Sequence, residues 1–253
     1  MIVPVQRICQ VFALSEDQVL TVTSLLQIYR AVFNWGWFED LPETIKNDVM
    51  ARCRPCVLDG GQRLYSRGDK PDGMFCIVEG CITVGGTSRD GFDTLLDFYG
   101  PGVWFGEVAT LANTPRMLHD AQAYGPARLR HLSSLDLDKL LSTYPSLSRS
   151  LLQLEAQRLQ ILFAALQSYS SDTLEQRLAT RLLMLASTHG VSTPYGYKID
   201  LHLPQDTLAR LIGSTRQRVN QIFKDWESKD IVKHDYGRIF LLDQARLENV
   251  SIT

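Results

Sequence analysis

The chain has 253 residues, 45 % of them hydrophobic and 21 % charged, with a formal net charge of −2. These proportions are those of an ordinary globular protein long enough for two cores, and they exclude a disordered or generally basic chain. No apolar run reaches the roughly 20 residues of a membrane span, and the start "MIVPVQRICQ" lacks the basic and apolar blocks of a secretory signal, so a cytoplasmic protein without a membrane partner is expected.

Residues 1–35 form a first segment, a helical extension in which Ser15 can cap a helix with apolar residues at Val19, Val22, Leu25, Leu26 and Tyr29. From Leu58 to Leu132 the texture changes to short apolar runs cut by turn signals: Gly60-Gly61, Gly68-Asp69, Asp72-Gly73, Gly85-Gly86, Asp90-Gly91 and Pro101-Gly102. That spacing predicts a small antiparallel barrel or sandwich, within a segment spanning 36–144. Five cysteines, Cys9, Cys53, Cys56, Cys76 and Cys81, are expected to be reduced thiols. On one alternating strand Cys76 and Cys81 would point to opposite faces.

A long helix follows over 145–170. Pro145 suits a helix start, and no further Pro and no Gly occurs before Tyr169. Two apolar stripes coexist on it: Leu147, Leu151, Leu154, Ile161 and Ala165 on one side, and Leu152, Leu159, Leu162, Leu166 and Tyr169 on the other. One core can cover only one side, so a second copy of the helix is the natural partner for the other, and the candidate dimer interface is Leu147, Leu151, Leu154, Leu159, Ile161, Leu162, Ala165 and Leu166. "SYSSD" breaks the helix, with Ser171 or Asp172 placed to cap the next, which stops at Gly190.

The last segment, 171–253, holds 11 Lys and Arg against 10 Asp and Glu, yet no acid stands between residues 207 and 224, where Arg210, Arg216, Arg218 and Lys224 gather. "LPQDTLARLIGSTRQRVNQIFKDWESKDIV" reads as two helices, Gln205 to Ile212 and Thr215 to Lys229, joined by a turn at Gly213, with Leu208, Ala209, Ile212, Val219, Ile222 and Phe223 inward. "IVKHDYGRIFLLD" adds a two-stranded wing turning at Tyr236-Gly237. A winged helix-turn-helix accounts for the cations: its second helix enters the major groove and flanking Lys and Arg meet phosphate.

From about Trp37 to Leu242 the chain resembles the CRP/FNR family, the cyclic-AMP receptor protein and its relatives. The resemblance is carried by "FGEVATL" (Phe105 to Leu111), by the long helix from Pro145 and by "GSTRQRV" (Gly213 to Val219), in that order and spacing. It implies an α+β fold: an N-terminal β-roll of the cyclic-nucleotide-binding kind, a central dimerisation helix and a C-terminal winged helix-turn-helix. It further implies a homodimer on a two-fold DNA site, with RNA polymerase as a further partner. Arg216 takes the position of the family's guanine-reading Arg, and Gln217 stands where many members have Glu, so a changed base preference toward adenine is expected. Asn220 and Gln221 lie one turn on, while Arg218, Arg210 and Lys224 are phosphate candidates, joined by Gln205 of the first helix.

The same resemblance makes Gly106, Glu107, Arg116, Met117, Leu118, Leu162 and Phe163 the candidate effector pocket. In cyclic-nucleotide-binding members the glutamate holds the ribose and an Arg-Ser/Thr pair ten and eleven residues later clamps the phosphate. Here Met117 and Leu118 stand at those positions, and Leu162 and Phe163 replace two polar residues of the long helix. An anion buried without its Arg loses roughly 3–5 kcal/mol, so cyclic AMP is expected to bind poorly unless Arg116 turns inward on a bulge. Self-filling of the pocket or an apolar ligand are the alternatives. A redox or gas sensor of the same family is a rival reading, but "CRPC" (Cys53, Cys56) supplies one pair where a cluster needs four thiolates, and His119, His131 and His202 lack companion spacing for haem. No metal site and no cofactor are expected. No G-x-S-x-G, H-E-x-x-H or phosphate loop points to an enzyme.

Overall fold

The computed structural model describes residues 22–33, 36–87, 93–112, 116–194 and 196–252. Ser15, Val19, Cys9 and the Asp90-Gly91 turn lie outside them. The described residues begin with helices α1 (Val22–Val32), α2 (Gly36–Glu39) and α3 (Glu43–Arg52). Strands β1 (Arg54–Leu58), β2 (Arg63–Tyr65), β3 (Gly73–Glu79), β4 (Ile82–Thr87), β5 (Asp93–Tyr99) and β6 (Trp104–Phe105) lead to a short helix α4 (Glu107–Leu111), then β7 (Asp120–Ala123) and β8 (Ala127–Ser133). They pair as two antiparallel sheets, β1-β8-β3-β6 and β2-β7-β4-β5, whose inner faces make the β-roll.

Met74, Cys76, Leu129 and Leu132 are buried, β3 being covered on both faces, and Trp104 is buried against Trp37 and Phe38 of α2, at ring distances of 6.0 and 5.2 Å. Tyr65, Phe75, Tyr99 and Phe105 fill the interior between the sheets, with Tyr99 and Phe105 5.5 Å apart and Phe75 and Phe105 5.8 Å apart. Cys76 and Cys81 do not share a strand: β3 ends at Glu79 and the chain reverses, so both are buried, in different cores. Burial pushes the Cys53 thiol up to about 11 and that of Cys81 to about 12, so both stay protonated.

Helix α5 (Ser134–Thr143), capped by Ser133, delivers the chain to α6 (Pro145–Ser171). Here the two stripes separate. Leu147, Leu151 and Leu154 are buried in the chain's own β-roll core and Ile161 packs partly against it. Leu147, Leu151 and Leu154 are therefore removed from the expected dimer interface, because the roll, joined through α5, already covers that part of the helix. The opposite stripe, Leu152, Leu159, Leu162, Leu166 and Tyr169, is exposed, Leu152 at 72 %, together with Ala165.

The next helix, α7 (Leu174–His189), is capped by Thr173 rather than Ser171 or Asp172: Thr173 accepts from the Gln176 amide while Gln176 reaches back to the Thr173 amide, a reciprocal capping box. Strands β9 (Gly190–Thr193) and β10 (Gly196–Ile199) precede α8 (Gln205–Ile212) and α9 (Arg216–Ser228), and β11 (Val232–Asp235), β12 (Arg238–Leu241) and α10 (Gln244–Ile252) close the chain. The wing is wider than the sequence suggests, because β12 also pairs with β10 in a sheet of order β11-β12-β10-β9. A second core joins α7, α8, α9 and this sheet, and takes in Cys81, Leu95 and Phe98 of the β-roll.

Candidate nucleic-acid interface

Gly213 ends α8 with φ 63° and ψ 48°, a left-handed conformation that side chains with a Cβ adopt only under strain, and a Cβ there would sit 3.0 Å from the Tyr169 hydroxyl. Thr215 then caps α9, accepting from the Arg218 amide at 3.4 Å. Val219, Phe223 and Trp226 are buried at spacings of four and three, so the helix is seated by one face. The Trp226 indole donates to Glu175 Oε1 at 2.7 Å and ties α9 to α7.

The solvent side of α9 carries Arg216, Gln217, Arg218, Gln221 and Lys224, all exposed, with Asn220 half-buried among them. No acid lies in the first turn, whose unpaired amides carry roughly half a positive charge. Arg216 lies 3.6 Å from Asp206 of α8 with both side chains solvated, and the Gln205 amide donates to Asn220 Oδ1 at 3.3 Å. Every sequence-derived candidate for this surface thus falls on α8 or on the outward side of α9. Arg210, exposed at the end of α8, lines a cleft of about 100 Å³ with Arg63, Thr83 and Gln122 of the roll. The sequence reading predicts the wing but names none of its residues as contacts: Lys233, Tyr236 and Arg238 are exposed around the turn at Tyr236-Gly237, where Asp235 pairs with Arg238.

At the floor of the β-roll Gly106 is left-handed, φ 96°, and starts α4, burying Glu107 to 1 % exposure. Arg158 of α6 donates to Glu107 Oε1, to Glu155 Oε1 at 3.1 Å and to the Trp104 carbonyl at 2.5 Å. Glu107 Oε2 is buried without a hydrogen-bond partner among the described residues. Burial and then the Glu107 charge push the Glu155 carboxyl up to about 7.

A family model described as a Crp-like helix-turn-helix domain matches residues 176–250, and one described as a cyclic nucleotide-binding domain matches residues 56–144. The chain is 25 % identical over 215 residues to a CRP-like cAMP-activated global transcriptional regulator of Mycobacterium tuberculosis, covering 84 % of this chain and 94 % of that protein. The chain belongs to the CRP/FNR family of transcriptional regulators. Its fold is also that of FixK2 from Bradyrhizobium japonicum, with a TM-score of 0.70 at 18 % identity over 79 % of this chain and 98 % of that one. The c-di-GMP responsive regulator CLP from Xanthomonas campestris superposes with a TM-score of 0.67 at 18 % identity, over 80 % of this chain and all of CLP.

Against the CRP/FNR pattern, the pocket residues expected from the sequence do not converge. Arg116 is exposed and donates to the Gly68 carbonyl at 2.8 Å, so no bulge turns it inward. Met117 is buried, its backbone paired with Gly68 and Asp69, and alternation sends Leu118 outward at 60 % exposure. Leu162 and Phe163 lie on the exposed side of α6. Only Gly106 and Glu107 keep their places at the floor, and the groups that meet Glu107 are Arg158 and Glu155. Arg158 was readable: it follows Leu151 and Leu154 at helical spacing, a cation on an apolar stripe. Among the described residues no group of three His, Cys, Asp or Glu is arranged to hold a metal, and no helix is long and apolar enough to cross a membrane.

Proposed function

We propose that this protein is a homodimeric, sequence-specific DNA-binding regulator that reads a two-fold symmetric site without cyclic AMP. The observation that carries it is the outward face of α9, where Arg216, Gln217, Asn220 and Gln221 present a fork and three amides above a buried seat of Val219, Phe223 and Trp226. A guanidinium at Arg216 pairs with guanine O6 and N7, the Gln217 amide suits adenine, and Arg218, Arg210, Lys224 and Gln205 meet the backbone on either side. RNA polymerase is the expected protein partner at promoters. Independence from cyclic AMP is supported by the buried apolar Met117 and the outward Arg116, since neither position offers a cation to a cyclic phosphate.

The test is selection of duplexes from a random library by purified protein with no small molecule present and salt stated. A palindrome is expected. Arg216→Ala should then lose about 1–3 kcal/mol of preference at one guanine of each half-site, whereas Lys224→Ala should weaken all sequences alike and lower the salt slope by about one. Enrichment only after cyclic AMP is added, or undiminished specificity in Arg216→Ala, sinks the proposal.

A further inference from the structure

Helix α1 is not an appendage. Its Leu25, Tyr29 and Val32, with Phe33 just beyond its end, belong to the β-roll core, and the helix packs against α6 and α7 and touches α10. Tyr29 is fully buried, and its hydroxyl donates to both oxygens of Asp97 on β5 at 2.8 Å. The same carboxylate is met from the other side by Arg181 of α7, whose Nη2 lies 3.0 Å from Asp97 Oδ1 and also donates to the Leu96 carbonyl. The Phe98 amide completes the set at 2.8 Å. One buried acid therefore joins the N-terminal helix, the β-roll and the first helix of the DNA-binding part.

Two further contacts hold the same seam. The His189 ring at the end of α7 bonds the Phe98 carbonyl at 3.2 Å, and the Tyr124 hydroxyl donates to the His202 carbonyl. Leu95 and Phe98 of β5 complete it by entering the second core. The seam engages α7 and α8, while α9 packs chiefly on α8 and β11, so the outward face of α9 stays open in the docked arrangement.

We propose that α1 is a built-in clasp, in which Tyr29, Asp97 and Arg181 fix the DNA-binding part on the β-roll and so preset the recognition helix for its site. Orientation is then supplied by the chain's own N-terminal helix, because Asp97 is neutralised and fully hydrogen-bonded only when α1 and α7 are both in place. A carboxylate shared in this way couples the two helices: loosening either leaves the other beside an under-compensated buried charge. The affinity arm of the test rests on the DNA-binding reading above; the docking arm does not.

The experiment is amide hydrogen exchange and DNA affinity on the full chain, comparing the parent with Tyr29→Phe, which keeps the ring, and Asp97→Asn, each first checked for a cooperative thermal transition. Exchange in α1 and in α7 is expected to accelerate together in both variants, with the β1–β8 pairing unchanged. Affinity for the selected DNA is expected to fall about tenfold as the preset fraction falls by that factor. Acceleration in α1 alone, or accelerated exchange in both helices with undiminished affinity, overturns the clasp. A parent that selects no DNA defeats the DNA-binding reading, while the paired exchange of α1 and α7 still decides the clasp.

Discussion

Arg158 holds Glu107 and Glu155 together, so α6 and the floor of the β-roll meet through one guanidinium shared by two carboxyls. Glu107 is too deeply buried for water to screen it, and Arg158 is the cation set against it. Replacing Arg158 with Met should therefore destabilise the chain by about 3–5 kcal/mol, the cost of a buried charge left alone. Adding Glu107→Gln to Arg158→Met should return much of the loss, since the orphaned charge is gone. Urea unfolding of both single variants and the double variant gives the coupling; additive losses would mean that the two groups do not neutralise each other.

Glu155 gives the same cluster a pH dependence with a definite sign. Its carboxyl titrates at about 7 in the folded chain against 4.5 for the free group, because burial and the Glu107 charge disfavour its ionised form. Between those values the folded state holds a proton that the unfolded chain has released. This group thus favours the folded state fully below 4.5, and that contribution is lost as pH rises through about 7. Glu155→Gln should flatten the fall in unfolding free energy between about pH 5 and about pH 8. An equal fall in parent and variant would show Glu155 already ionised across that range.

The helices were legible in the sequence because their punctuation is chemical. Pro145 starts α6, Gly213 ends α8 and Thr215 caps α9, each for a backbone reason that needs no tertiary contact. The inward side of α9 followed from periodicity, while the roles of Arg216 and Gln217 on its outward side came from the resemblance to the CRP/FNR family. What periodicity cannot do is choose between two Leu-rich stripes on α6, or send Met117 inward and Leu118 outward after a loop of unmarked length. Those choices are made by packing. The Tyr29 to Asp97 bond joins residues 68 positions apart and leaves no local pattern at all. Gln176, by contrast, stood three residues after Thr173 in plain view, a capping signature that Ser171 and Asp172 obscured by being acceptable caps themselves.

The outward stripe of α6 sets the last expectation. Leu159, Leu162, Leu166 and Tyr169 recur at spacings of three and four, with Phe163 beside them at 64 % exposure, an apolar seam longer than single exposed residues on a monomer require. In the proposed homodimer a second copy of α6 would bury it. Leu162→Glu combined with Leu166→Glu would set carboxylates from both copies in that seam, and should weaken self-association at least about a hundredfold, equivalent to about 2.7 kcal/mol. Sedimentation equilibrium reads this directly, and the double variant should bind a palindrome no better than a half-site. Leu151→Ala is the matched control. Leu151 lies on the same helix but inside the roll, so its loss should lower stability by about 2–5 kcal/mol and leave the association of folded chains unchanged. If the double glutamate variant still pairs while Leu151→Ala does not, the inward stripe is the one that joins the copies.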